Sequence, residues 1–517
     1  MTFEIVFVLL SLLGMVAALV TDKMRPGMIL FSVVVLFLCA GILTPKEMLE
    51  GFSNKGMITV ALLFLVSEGI RQSGTLGQVI KKLLPQGKTT VFKAQLRILP
   101  SVAFISAFLN NTPVVVIFAP IIKHWAKSVN LPATKFLIPL SYVTILGGIC
   151  TLIGTSTNLV VHGMILEAGF EGFSMFELGK VGIFIAIAGI IYIFLFSKRL
   201  LPDARPDTAV PDEEVEEGEK LHRVEAVLGA RFPGINKKLK DFNFQRHYGA
   251  EVKEIKTRNG QRFVSNLEDV VLHEGDTLVV MADDTFIPTW GESSVFVLLT
   301  NGNEPDTTGK KKRWFALLLL ILMIVGATVG ELPVTKEMFP DIKLDMFFFV
   351  SITTIIMAWT NLFPARKYTK YISWDILITI ACAFAISKAM VNSGVADSVA
   401  KFIIGLSDDY GPHVLLAMLF IITNLFTELI TNNAAAALAF PLALSLASQL
   451  GVSPTPFFVV ICMAASASFS TPIGYQTNLI VQGIGNYKFT DFVRIGLLLN
   501  IITFLISIIL IPLIWNF

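Results

Sequence analysis

Thr151-Leu-Ile-Gly-Thr-Ser-Thr-Asn-Leu-Val-Val-His-Gly163 returns 320 residues later as Thr471-Pro-Ile-Gly-Tyr-Gln-Thr-Asn-Leu-Ile-Val-Gln-Gly483. A second pair, Ser67 with Ser73-Gly74 and Ser387 with Ser393-Gly394, keeps the same offset, so the chain contains an internal duplication. Both copies of the long motif lie inside apolar stretches. Irregular polar backbone at that depth is tolerated only around a cavity. Two related halves, each interrupted by Gly, Asn and Thr, therefore read as a secondary transporter.

Composition agrees. Hydrophobic residues make up 54% of the chain and the mean hydropathy is +0.70, which excludes a water-soluble globule and gives a polytopic helical membrane protein. The formal net charge of +2 carries no message about nucleic acid, because the basic residues cluster in loops between apolar segments. Cys39, Cys150, Cys382 and Cys462 sit in apolar stretches without metal-ligand spacing and are expected to be reduced packing residues. Residues 3–20 lack a basic leader and a cleavage site and are expected to be a retained first span.

Apolar segments fall near 3–20, 26–43, 56–71, 98–122, 136–160, 180–197, 314–330, 346–363, 372–391, 413–447, 455–482 and 495–514. The stretch 98–122 is interrupted by Asn110-Asn111-Thr112-Pro113, and 413–447 by Thr431-Asn432-Asn433, so each reads as two half-helices meeting at a polar tip, a re-entrant hairpin. Arg71, Lys81, Lys82, Lys88, Lys93 and Arg97 carry six positive charges with no acid between them, which places that loop in the cytoplasm. With both hairpins re-entrant, Lys198-Arg199, the cluster from Lys310 to Arg313, and Arg366-Lys367-Lys370 also fall inside. Glu167, Glu171, Glu177 and both termini fall outside. Each half then crosses five times, and an odd number inverts the second half. The expected fold is an all-α polytopic membrane protein of two inverted repeats, 1–200 and 312–517, each with five transmembrane helices and one hairpin, multi-pass in a bacterial plasma membrane. Hairpin 98–122 enters from the cytoplasm and hairpin 413–447 from outside.

Residues 201–311 differ. Pro202, Pro206 and Pro211 lead into the acidic run Asp212-Glu213-Glu214-Val215-Glu216-Glu217, a solvated linker. Alternating segments follow at Val224, Ala226 and Leu228, at Glu251 to Arg258 with Asn259-Gly260 as a tight turn, and at Thr277 to Met281. They describe a small cytoplasmic α+β domain. Its pattern Gly229-Ala-Arg-Phe-Pro-Gly234, Tyr248-Gly-Ala-Glu-Val252 and Leu272-His-Glu-Gly-Asp-Thr-Leu-Val-Val280 resembles the TrkA-C (RCK C-terminal) domain over a core of 220–285. That resemblance implies pairing as dimers and, in some families, a small regulator such as cyclic di-AMP. The alternative, a folded domain that only supports assembly, stays open.

No phosphate loop, His/Cys ligand cluster or nucleophile elbow occurs, so an enzyme and a bound cofactor are not expected. His162 faces Gln482 in the second copy, which favours a hydrogen bond near the membrane surface over a proton carrier. The hairpin tips are different. Asn and Thr side chains sit there beside backbone groups freed by helix breaks, with carbonyls and helix C-termini suited to Na⁺ and amides and helix N-termini suited to an anion. Gly154 and Gly474 give each half a second unwound stretch. Ser67 and Ser387 are weaker candidates.

Leu109-Asn110-Asn111-Thr112-Pro113, Thr431-Asn432-Asn433-Ala434 and the Thr-x-Ile-Gly-x-x-Thr-Asn pair resemble the divalent anion/sodium symporter family of the ion transporter superfamily, across nearly all the chain outside the insert. Members of that family carry Ser-Asn-Thr at each tip. Here both first positions are Asn and the last Thr of the second tip is Ala434, which removes hydroxyls that a dicarboxylate would use and shifts the expectation to sulfate. The resemblance implies an anion bound by Asn110, Asn111, Thr112, Asn432 and Asn433 with Thr157 and Thr477 as further donors. It implies one Na⁺ site at Asn111, Gly154 and Asn158 and another at Asn433, Gly474 and Asn478. The hairpin-bearing bundle would move against a scaffold that dimerises through the first two spans of each half.

Two other classes compete. A Na⁺/H⁺ antiporter or metalloid-anion exporter needs a titrating carboxylate within the membrane, for which Glu428 is the candidate inside the second hairpin, Glu68 being interfacial. A ligand-gated channel lacks any filter sequence here, and an inverted repeat is a poor pore scaffold.

Overall fold

The structure is a computed structural model that describes residues 3–21, 24–203, 222–229, 231–257, 261–283, 286–290, 295–300, 310–339, 341–405 and 411–517. The acidic run Asp212 to Glu217 and the Asn259-Gly260 turn lie outside the described residues. Among the described residues nine principal helices precede the insert: α1 (Phe3–Thr21), α2 (Pro26–Cys39), α3 (Lys55–Gln72), α4 (Thr75–Leu83), α5 (Val91–Ser106), α6 (Asn111–Ser128), α7 (Leu137–Gly148), α8 (Ser156–Glu167) and α9 (Gly179–Leu200). Nine follow it in the same order: α10 (Lys310–Gly330), α11 (Met346–Trp359), α12 (Trp374–Asn392), α13 (Val395–Gly405), α14 (Gly411–Leu429), α15 (Asn432–Leu450), α16 (Thr455–Ser466), α17 (Gln476–Gly485) and α18 (Phe489–Ile514). Seven helical segments among the described residues are long and apolar enough to cross a membrane.

Packing repeats with the sequence. Helix α3 packs on α11 and its counterpart α12 on α2; α5 packs on α7 as α14 does on α16; α6 meets α17 as α15 meets α8. The shared Ser-Gly motif has a local cause. Gly74 and Gly394, at φ +70° and +74°, turn the chain from α3 into the short α4 and from α12 into α13 through a left-handed conformation that a side chain would disfavour.

Contacts at the helix ends fix the inversion. Helix α3, 18 residues or roughly 27 Å long, starts at Asn54, whose amide donates to Glu167 at the end of α8 (3.0 Å). It ends near Thr75, which donates to the carbonyl of Arg313 at the start of α10 (3.4 Å). Helix α17, the counterpart of α8, ends instead with Gly483 against Thr277 of the inserted domain. Equivalent helices thus finish at opposite faces. Both ends of the first hairpin lie on the domain face: Gln95 donates to the Lys135 carbonyl (2.6 Å) and to Ser197 (3.0 Å), while Lys123 pairs with Glu225. Both ends of the second lie on the far face, where His413 meets Phe517 edge to face and Ser445 bonds Asp397. The limbs are not half-length, as the sequence suggested, but run 16, 18, 19 and 19 residues. Apolar patterning marks where a limb breaks, not how far it projects. The segments 136–160 and 455–482 are likewise each two helices, split at 149–155 and 467–475.

The insert forms one antiparallel sheet of β1 (His222–Leu228), β2 (Glu251–Lys256), β3 (Arg262–Phe263), β4 (Thr277–Ala282) and β5 (Phe296–Thr300), ordered β3-β2-β4-β1-β5. Val224, Ala226, Leu228, Phe232, Tyr248 and Phe296 share its core. The sheet continues beyond the 220–285 core, because β5 pairs with β1 at its edge. Cys39 also departs from expectation: it is exposed at the end of α2, since that helix face turns outward, whereas Cys382 and Cys462 are buried and all four thiols are free.

Glu225 on β1 accepts from Lys123 at 3.0 Å through both carboxylate oxygens and from Lys256 at 3.4 Å. Burial opposes its ionisation, but Lys123 and Lys256 outweigh it and hold the carboxyl at about 2. A depressed carboxylate contributes stability that is complete above its unfolded pKa and is lost as pH falls toward the folded one. The melting temperature of wild type should exceed that of Glu225→Gln by a constant margin at neutral pH. That margin should shrink below about pH 4.5. A pH-independent margin in scanning fluorimetry would show that the carboxylate is not ionised.

Candidate functional site

Four helices begin in the interior, not at a face: α6 at Asn111, α8 at Ser156, α15 at Asn432 and α17 at Gln476. Their N-cap residues are Asn110, Thr155, Thr431 and Tyr475, and none of the four side chains caps its helix. Since α6 packs on α17 and α15 on α8, positive helix ends from both repeats are gathered in one region, with amides left open by the caps. The partners that enter this region, α5, α7, α14 and α16, present their carbonyl ends instead.

The side chains join the repeats crosswise. Asn111 donates to the Tyr475 hydroxyl (3.0 Å), which also pairs with Thr155 (2.8 Å). Asn432 donates to Thr157 (2.7 Å), while Asn433 accepts from Ser156 (3.2 Å) and Thr157 (3.3 Å). The first tip is thus bonded to the unwound segment of the second half, and the second tip to the first turn of α8, just after the unwound segment of the first. Thr155 and Tyr475 occupy the same place in the two repeats and touch each other, so the pseudo-two-fold axis passes between them. Thr112 reaches Gln476 at 3.4 Å. Thr477 is turned from the tips: its hydroxyl lies buried 2.9 Å from Ser141. A small cavity beside the first tip is lined by Asn110, Ser156 and Ser67 among apolar residues including Leu109 and Leu320.

Oxygen-rich cages lie behind the tips. Asn158 donates to the carbonyls of Thr151 (2.8 Å) and Gly148 (3.4 Å), and Asn478 repeats the pattern with Thr471 (3.1 Å) and Ser468 (2.9 Å). A methyl on Gly154 would sit 2.6 Å from the Gly148 carbonyl oxygen and 3.0 Å from that of Ala107; one on Gly148 would sit 2.6 Å from Asn111 Oδ1. Asn158 Oδ1 is buried without a hydrogen-bond partner, an acceptor awaiting a donor or a cation. In the second half Asn478 Oδ1 is taken by Ser141 (2.7 Å), and the place of Gly148 is filled by Ser468.

Glu428 ends α14 beside this second cage. Its carboxylate accepts from Asn500 (2.7 Å), the Ser470 amide (2.9 Å) and Ser468 (3.4 Å), none of them basic. The Thr471 hydroxyl donates to the Glu428 carbonyl (3.1 Å) as the Thr151 hydroxyl does to that of Ala107, so Glu428 stands where the first half has Ala107; the residue before Ala107, Ser106, donates to Asn111 (2.8 Å). Glu68 is paired with Arg71 (2.7 Å), in keeping with an interfacial place. His162 Nδ1 is buried without a hydrogen-bond partner, with Gly172 close against the ring. Tyr475, Ser141, Ser106 and Asn500 were missed from sequence. Only the position of Tyr475, inside the repeated motif, could have flagged it.

Comparison with known proteins gives a consistent picture. Residues 16–452 and 342–517 match the family described as citrate transporter. An uncharacterized transporter of Synechocystis sp. is 30% identical over 94% of this chain and 93% of its own length. A putative sulfur deprivation response regulator of Chlamydomonas reinhardtii is 28% identical, covering 93% and 96%. A probable sodium/sulfate cotransporter of the same alga is 23% identical, covering 88% and 82%.

Proposed function

Because this chain belongs to the citrate transporter family of the ion transporter superfamily, we propose that it is a sodium-coupled symporter of a small divalent anion, with sulfate favoured over dicarboxylates. The observation that carries this reading is the convergence of four uncapped helix N-termini, two from each repeat, on the crossed pairs Asn111–Tyr475 and Asn433–Thr157. Asn110, Asn111, Thr112, Asn432, Asn433 and Thr157 face the anion, with Thr477 acting through Ser141. The relative named as a sodium/sulfate cotransporter supports the substrate class, and so do the missing hydroxyls at Asn110, Asn432 and Ala434.

Sodium ions travel as co-substrates. Asn111, Asn158 and the carbonyls around Gly154 hold one; Asn433, Asn478 and the carbonyls around Gly474 hold the other. The buried free Oδ1 of Asn158 supports this fit. Neither tip sequence contains Lys or Arg, so a dianion there needs these cations, since an uncompensated charge at that depth costs several kcal/mol or more. The hairpin-bearing helices α5–α8 and α14–α17 move as an elevator against a scaffold of the remaining helices, which dimerises through α1, α2, α10 and α11. The basic face that carries the insert is cytoplasmic by the charge rule, leaving the termini outside. The insert resembles TrkA-C domains and regulates transport, with a nucleotide such as cyclic di-AMP as one ligand to test. Uptake of radiolabelled sulfate into proteoliposomes driven by an inward Na⁺ gradient, competed by citrate and succinate, is the direct test. Uptake of citrate alone would overturn the substrate assignment.

A second reading rests on Glu428, a carboxylate at a helix C-terminus whose partners at the second cage are all neutral. There it exchanges a proton against Na⁺. Glu428→Gln separates the two readings. Under symport the variant keeps Na⁺-driven anion uptake, reduced by no more than about tenfold for one altered charged contact. Under antiport, Na⁺-dependent proton movement read with a pH-sensitive dye disappears in the variant and is present in wild type.

A further inference from the structure

The incoming limb of the first hairpin, α5, has two faces. Toward the protein it buries Gln95, Ile98, Leu99 and Val102. Outward, Phe92, Leu96, Pro100 and Phe104 follow one another every four residues and all are exposed, Phe104 at 70%. Such a stripe is the lipid-facing side of a helix in a membrane. Charge enters this face only in its first two turns, where Lys93 and Arg97, four residues apart and exposed, lie beside Phe92 and Leu96. Lys81 and Lys82, exposed in the last turn of α4, are drawn alongside, because the Arg97 guanidinium donates to the Lys82 carbonyl at 2.9 Å. The loop between them is fixed: Trp125 of α6 donates to the Pro85 carbonyl (2.9 Å), and Thr90 caps α5, so that Lys88 is displayed from the same frame. No Asp or Glu occurs between Glu68 and Glu167. On this face Lys123 is paired with Glu225 and Lys135 with Asp203, yet among the described residues none of Lys81, Lys82, Lys88, Lys93 and Arg97 has an acidic partner.

From this arrangement we propose that the corner between α4 and α5 is a binding site for the phosphate headgroup of an anionic phospholipid. Arg holds phosphate as a fork and Lys as a point charge, and five such cations surround one corner. The apolar stripe makes the phosphate a lipid's and not a free ion's: acyl chains lie along Phe92, Leu96, Pro100 and Phe104 while the headgroup meets Lys93 and Arg97 at their upper end. The second repeat supplies a comparison within the chain. Its limb α14 starts 320 residues after α5, and at that offset Lys82, Lys93 and Arg97 become Phe402, His413 and Ala417, so the site belongs to one repeat and one face. Helix α5 runs 16 residues, roughly 24 Å, from this corner to Ser106, which donates to Asn111 at the tip. A bound lipid therefore grips the foot of the limb whose head reaches the candidate site. The inference holds whichever anion is carried.

The full chain in a neutral detergent is titrated with short-chain phosphatidylglycerol and its melting temperature read by scanning fluorimetry. Phosphatidylglycerol should raise that temperature in a saturable way that weakens with salt, whereas phosphatidylcholine of the same chain length and inorganic phosphate should not. Lys93→Gln with Arg97→Gln should raise the half-saturating phosphatidylglycerol concentration about thirtyfold, and Lys81→Gln with Lys82→Gln, which leaves α5 untouched, by a similar factor. Lys240→Gln with Lys253→Gln removes as much charge from the inserted domain and should titrate as wild type. An unchanged half-saturation in either corner pair overturns the site. Equal stabilisation by inorganic phosphate overturns it too, since the corner would then hold a free anion. A drop in melting temperature that is the same with and without phosphatidylglycerol would assign the cations to an acidic segment of the chain, such as Asp212 to Glu217, and would likewise overturn the lipid site.

Discussion

Alanine at Asn111 or at Asn433 lowers sodium-driven anion uptake by about 100-fold or more while the melting temperature moves by only a few degrees. Asn111 binds the Tyr475 hydroxyl through its amide and accepts from Ser106, and its Oδ1 is the atom a methyl on Gly148 would strike. Its loss strands two buried partners, each costing about 1–3 kcal/mol, and each 1.4 kcal/mol is a factor of ten. Asn433 ties the second tip to Ser156 and Thr157 in the same manner. Sodium titration of uptake separates roles: loss of an ion ligand moves the sodium dependence, whereas loss of an anion contact moves the half-saturating anion concentration. Full uptake in either well-folded variant would show that the tips are not the binding site.

The second large effect is at Gly474 and Gly154. An alanine methyl at Gly474 would stand 2.2 Å from the Thr427 carbonyl oxygen and 2.0 Å from Ser468 Oγ; the hydroxyl can rotate aside but the carbonyl cannot move without its helix. At Gly154 both nearest obstacles are backbone, the carbonyls of Gly148 and Ala107. Overpacking of this kind costs about 1–3 kcal/mol in stability, and here it displaces the same oxygens that are proposed above to cage a cation. Gly154→Ala and Gly474→Ala should therefore abolish uptake and raise the sodium concentration needed for thermal stabilisation more than tenfold. Gly405→Ala, with open space around it, serves as the control and should behave as wild type. Normal sodium stabilisation of Gly154→Ala would remove the first cage from the mechanism.

Much of this architecture was legible because breaks in an apolar segment are rare enough to be informative. Asn110 through Pro113 and Thr431 through Asn433 announced the two tips, and the helices do restart at Asn111 and Asn432. The duplicated motif announced the unwound stretches. Tyr475 was illegible for an instructive reason: comparing copies rewards identity, and its counterpart is Thr155, yet the two meet directly. Asn500 stayed hidden because one amide in a 26-residue apolar helix reads as interhelical glue, and only the fold brings it to Glu428. Glu225 and Lys123, 102 residues apart, carry nothing in sequence to link them.

The meeting of Thr155 with Tyr475 has a consequence for the direction of work. If inverted halves trade conformations when access switches sides, the two end states are isoenergetic only when the residues on the axis are alike. A phenol facing a small alcohol breaks that mirror. Glu428 in the place of Ala107, and an inserted domain seated on one face only, break it further. On the proposed mechanism, the unladen protein should rest with one vestibule preferred instead of dividing its time evenly between the two.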